Sequence, residues 1–151
     1  MVTRYFRRLA GLAAALAMLS CRSTTDPIAE QITDLDRAES LWLAAGIHNY
    51  SYEIGTASDW FVDSLRVDVR NDVVSATTGL RTTSTLHASG RTVPELFADI
   101  RRSLADGSAV RASYDGVLGY PTHIIAPDPP GWADASWSAN VGNFLLLPPG
   151  S

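Results

Sequence analysis

Few residues in this chain have the types that do chemistry: His48, His87 and His123, Asp115, and a single cysteine, Cys21. Three imidazoles can complete a zinc site, and a histidine beside a carboxylate can activate water for hydrolysis. The spacing supports neither directly. The histidines are scattered, no His-Glu-x-x-His or Gly-x-Ser-x-Gly run is present, and no glycine loop suits a phosphate. Any catalytic group of Asp115, His123 or Asp134 would have to be assembled by the fold. Simpler readings exist for each: His123 falls on the outer side of a strand-like run, and Asp115 precedes Gly116, where a carboxylate makes a turn. No metal and no cofactor is expected.

Cys21 has a different chemistry in prospect. Arg4, Arg7 and Arg8 precede an uncharged run from Leu9 to Leu19 that ends in Ser20-Cys21, the layout of a secretory signal. The run is short for a membrane span, which needs roughly 20 apolar residues. Met18-Leu19-Ser20-Cys21 looks like a bacterial lipobox, with a small residue before the cysteine to be acylated. The expectation is a signal peptide over residues 1–20, a lipidated tether over 21–25, and one domain over 26–151. Its partner through Cys21 is then a bacterial membrane, periplasmic or at the cell surface.

Removing the first 20 of 151 residues leaves 131, enough for one domain with a sizeable core. The basic residues are all Arg; three leave with the signal, and nine face sixteen acids, net −7. A chain so acidic does not suit nucleic acid or an anionic membrane surface as its main partner. With Cys21 given to the anchor, no thiol remains for a disulfide.

The elements that must position these residues read as follows. Asp26 can cap a helix with Pro27 at its first position, and Ile28, Ile32, Leu35, Ala38, Trp42 and Ala45 recur at steps of three and four, so a helix is expected from about Pro27 to Ala45. Gly46 ends it. Tyr50, Tyr52 and Ile54 alternate with polar residues in a first strand. Leu65, Val67 and Val69 alternate in a second, and Asn71-Asp72 turns the chain into a third, Val73 to Thr77. Trp60-Phe61-Val62 either extends the second strand or plugs a loop. From Thr78 to Arg91 no period is sustained, which predicts a loop with a strand fragment near Leu86. Thr92-x-x-Glu95 is a capping box with Pro94 in the first turn, and Val93, Leu96, Phe97, Ile100 and Leu104 form the buried stripe of a second helix, stopped by Asp106-Gly107. The halves resemble each other loosely, so an internal repeat is open. After the Asp128-Pro129-Pro130-Gly131 break, Ala135 to Val141 forms a last strand with Trp137 on its core side, and Phe144 to Leu147 extends it.

Between the two halves of the final hairpin lies Tyr114-Asp115-Gly116-Val117-Leu118-Gly119-Tyr120-Pro121. Val110, Ala112 and Tyr114 give the incoming strand and Thr122 to Ile125 the returning one. Gly116 and Gly119 tolerate positive φ, Asp115 bonds turn amides, and Pro121 starts its strand where a missing N–H is harmless. This run, with Thr92-Val93-Pro94-Glu95-Leu96-Phe97, Trp42, Tyr50-Ser51-Tyr52 and Val67-Asp68-Val69, resembles the bacterial lipoprotein family called domain of unknown function 6174. The resemblance covers about Leu41 to Val141. Many relatives carry a cysteine pair where this chain has Ile54 to Trp60, and Asn71-Asp72 replaces their usual Asp-Gly turn, so no role for that pair carries over. The resemblance implies a compartment and a fold outline, without an activity.

The expected architecture is α+β, two helices packed on one face of an antiparallel sheet of about five or six strands. Two functions remain: an anchored module that binds an envelope protein or small ligand, and an envelope hydrolase built from Asp and His residues. Trp60, Phe61 and Trp132, aromatics in breaks between strands, form the candidate interaction surface.

Overall fold

A computed structural model of the chain describes residues 26–57, 62–81, 90–126 and 137–149. Asp26 opens the first helix, α1 (Pro27–Ala45), by accepting the Ile28 amide at 3.0 Å, and Gly46 closes it in the left-handed conformation, φ 58°. Three strands follow: β1 (Tyr50–Ala57), β2 (Val62–Arg70) and β3 (Val73–Arg81). Helix α2 (Val93–Ala105) leads to β4 (Arg111–Tyr114), β5 (Pro121–Ala126) and β6 (Trp137–Leu146). The six strands form one sheet in the order β3-β2-β1-β6-β5-β4, with every neighbouring pair antiparallel. This is the expected α+β arrangement.

Alternation along the strands decides the faces. Tyr50 and Tyr52 on β1, Leu65, Val67 and Val69 on β2, Ile124 on β5, and Ala139 and Val141 on β6 point toward the helices and are buried. They meet Leu35, Ala38 and Trp42 from α1 and Val93, Leu96, Phe97, Ile100 and Leu104 from α2. Each such Val, Leu or Phe contributes about 1.5–3 kcal/mol on burial. The helices are tied at their surface by Arg101, which bonds Asp36 at 2.8 Å and Glu39 at 2.6 Å. Within the α1 stripe Ile28 packs half-buried against the core, whereas Ile32 and Ala45 stay exposed.

The structure corrects the sequence reading in several places. β3 runs on to Arg81, so Thr78 to Arg81 is strand and not loop. It escapes a periodicity test because it is the sheet's edge: Ser75 to Leu80 are all exposed, and the backbone ladder to β2 needs no apolar alternation. β6 continues through Phe144 as the sequence suggested, and its broken alternation has a physical cause. Ser51 stands opposite Leu145 but Glu53 opposite Gly142, so Asn143, at φ 48°, is an extra residue in a bulge. The bulge lets Val141 and Phe144, three apart, face the same core. The suspected repeat does not extend to the arrangement, since β1 has neighbours on both sides whereas β4 is at an edge.

Candidate functional site

The turn from Asp115 to Tyr120 is built by its own backbone and one carboxylate. Asp115 Oδ1 accepts the amides of Val117 at 3.0 Å and Leu118 at 2.7 Å. The Asp115 amide donates to the Tyr120 carbonyl at 2.9 Å, and Gly119 donates to the Asp115 carbonyl at 3.0 Å. Gly119 has φ 82°, and a Cβ there would sit 2.1 Å from the Ala38 carbonyl oxygen of α1. Two independent constraints therefore require glycine: the left-handed backbone and the contact with the helix. Gly116 has neither; its φ is not positive and nothing lies within 4 Å of a built Cβ. Of the two glycines that tolerate positive φ, only Gly119 uses it. Tyr120 then stacks on Phe144 at 4.4 Å, and Pro121 is buried.

Tyr50 continues that stack on Phe144, and Trp42 meets both rings edge-on. Tyr50 meets Phe144 at 5.4 Å, Trp42 at 5.2 Å and Tyr52 at 6.2 Å. The two hydroxyls of β1 receive the start of α2: Tyr50 Oη accepts the Val93 amide at 2.8 Å, and Tyr52 Oη donates to the Arg91 carbonyl. A free first-turn amide is thus satisfied inside the core. Burial pushes the Tyr50 phenol up to about 12, against the lowering effect of the Val93 amide, and pushes those of Tyr52 and Tyr114 up as well. Tyr120 is raised by burial and by nearby Asp115. These phenols stay neutral at ordinary pH; those of Tyr50 and Tyr52 serve as hydrogen-bonding groups, whereas the Tyr114 hydroxyl is buried without a hydrogen-bond partner among the described residues.

The opposite face of the sheet is different. No described helix lies on it, and it presents polar side chains in register. Across β4, β5, β6, β1 and β2 run Ser113, His123, Asn140, Gly55 and Ser64. His123 Nδ1 lies 2.6 Å from Asn140 Oδ1. Beside this row Glu53 takes Arg66 at 3.1 Å and the Asn143 amide at 2.6 Å. Asn140, Glu53, Arg66 and Asn143 were not singled out by sequence reasoning. The first three could have been found as the polar partners of alternating strands; Asn143 could not, because its direction depends on the bulge.

Among the described residues the chemical candidates are not brought together. Asp115 is engaged in its turn, His123 with Asn140, and His48 pairs through Nδ1 with Asp72 at 2.7 Å beside the β2–β3 turn. Among the described residues no group of three or more His, Cys, Asp or Glu is placed to hold a metal, and no helix is long and apolar enough to cross a membrane. Cys21, Trp60, Phe61, His87, Trp132, Asp134 and the ring of Trp137 lie outside the described residues.

The site and fold together define a class: an α+β domain whose β4–β5 turn is seated on the first helix and whose sheet carries no described helix on its other face. The model of a family of unknown function (DUF6174) matches residues 34–145, from the middle of α1 nearly to the end of β6, and the chain belongs to that family. No curated protein and no solved structure matches it.

Proposed function

We propose that this protein is lipid-anchored in a bacterial cell envelope through Cys21 and acts there by binding an envelope protein or small ligand, without catalysis. The observation that supports binding over hydrolysis is the separate engagement of Asp115 and His123. The first is held by two turn amides and the second by Asn140 across the β5–β6 ladder. A general base needs its partner within hydrogen-bond reach. The aromatics Trp60, Phe61 and Trp132 supply the contacts in this reading, since large rings in breaks between strands suit the anchors of interfaces. The anchor is supported by the basic start, the short apolar run and Ser20-Cys21.

The test is affinity capture from the native envelope with the wild type and with Trp60→Ala plus Trp132→Ala. Binding through these rings predicts loss of the captured partner with an unchanged melting temperature. A fall of several kcal/mol in stability would instead make them core. Turnover abolished by Asp115→Asn or His123→Ala would replace the binding reading with the hydrolase. For the anchor, Cys21→Ser must abolish detergent-phase partitioning.

A further inference from the structure

The described elements fix which end of the domain the chain enters. Gln31, near the start of α1, accepts the Ala112 amide at the start of β4, at 3.0 Å. Ala38 lies against Gly119, beyond the end of β4, and Trp42 meets Tyr50 at the start of β1. Helix α1 therefore runs alongside β4 from one end of the sheet to the other. The entry end, with Asp26, carries the start of β4 and the end of β5, which are paired through Arg111 and Ile125. Ladder pairs Ala126 with Trp137, Ala57 with Ser138 and Ala57 with Val62 add the start of β6, the end of β1 and the start of β2. The far end carries the β2–β3 turn at Asn71-Asp72, the Asp115–Gly119 turn and the close of β6.

We propose that the entry end of the sheet faces the lipid surface and the far end faces away from it. This rests on acylation of Cys21, and the length of the tether excludes the inverted placement. Arg22 to Asp26 is five residues, which reach at most about 18 Å when extended. The 19 residues of α1 span about 28 Å. An inverted domain, with its far end on the bilayer, would hold Asp26 about 28 Å above the surface, beyond what the tether reaches. The strand ends that flank residues 58–61 and 127–136 are consequently membrane-proximal. The exposed apolar side chains of Leu43, Val117 and Leu146 are membrane-distal.

The experiment uses the full lipidated protein in phosphatidylcholine vesicles containing nitroxide-headgroup lipid. Acylation consumes Cys21, so one added cysteine takes an environment-sensitive fluorophore. Arg111→Cys and Ile125→Cys report the entry end; Val117→Cys and Val73→Cys report the far end, and all four native side chains are exposed. The expected result is strong quenching at 111 and 125 and a retained signal at 117 and 73. Wild type bound to vesicles with equal or greater quenching at 117 and 73 would overturn the orientation while leaving the anchor standing. Wild type that does not float with vesicles would remove the anchor, and the orientation with it.

Discussion

The two faces of one sheet use their residues in opposite ways. On the helix side, side chains are fixed by several partners at once: Tyr50 is packed by Trp42, Tyr52 and Phe144 and bonded to the Val93 amide. On the open side, His123, Asn140, Glu53, Arg66 and Asn143 meet mostly one another, in contact with solvent. The residues that carry the family resemblance, among them Trp42, Tyr50, Tyr52, Val67, Val69, Phe97, Gly119, Tyr120 and Pro121, belong to the first face or to the turn seated on it. A family pattern made of such residues specifies how a chain folds.

The sharpest way to break this comparison is within the turn. Gly119→Ala places a Cβ against the Ala38 carbonyl and strains a left-handed residue, and is expected to cost about 3–5 kcal/mol. Gly116→Ala, three residues away and exposed, is expected to change stability by less than about 0.5 kcal/mol. Urea unfolding of the two variants checks this; equal losses would mean that the turn is not seated on α1.

A smaller effect sharpens the role of the tyrosines. Tyr50→Phe keeps the ring stack but leaves the buried Val93 amide without its acceptor, a loss of about 1–3 kcal/mol. The same group sets a pH dependence. Its phenol is raised from the ordinary value of 10.0 to about 12 in the folded state, so above pH 10 the unfolded chain releases a proton that the folded one keeps. Stability from this group is complete below pH 10 and falls as pH rises, by about 2 kcal/mol at pH 12. Tyr50→Phe should flatten part of that decline in denaturation curves taken from pH 9 to 12. An identical slope in both proteins would show that Tyr50 ionises as easily folded as unfolded.

Much of the packed face was legible because local rules and burial agree there. Asp26 with Pro27, Thr92 with Glu95, and Asn71-Asp72, both at positive φ, each announce a helix start or a turn by backbone chemistry alone. The stripe of α2 and the alternation of β2 follow from one-sided burial. What was hidden lacks that pressure. β3 beyond Thr77 is exposed and held by backbone bonds, so its side chains carry no period. The β6 bulge shifts the alternation by one residue at Asn143, and no short-range signal announces it. The second constraint on Gly119, contact with a helix carbonyl some 80 positions earlier, cannot be read from the turn's own sequence. The polar face was passed over for a related reason: single polar residues between apolar ones read as solvent-facing until the ladder sets them side by side.

The central claim is that one face of the sheet holds the fold and the other contributes little to it, and a combined variant tests it most directly. Glu53→Ala, His123→Ala and Asn140→Ala together remove the open-face contacts while leaving the helix side untouched. Exposed pairs of this kind are worth about 0–1 kcal/mol each. Urea unfolding should therefore show a total loss below about 2 kcal/mol, with the slope of the transition unchanged. A loss comparable to that of Gly119→Ala would contradict the account, making the open face part of what holds the fold together.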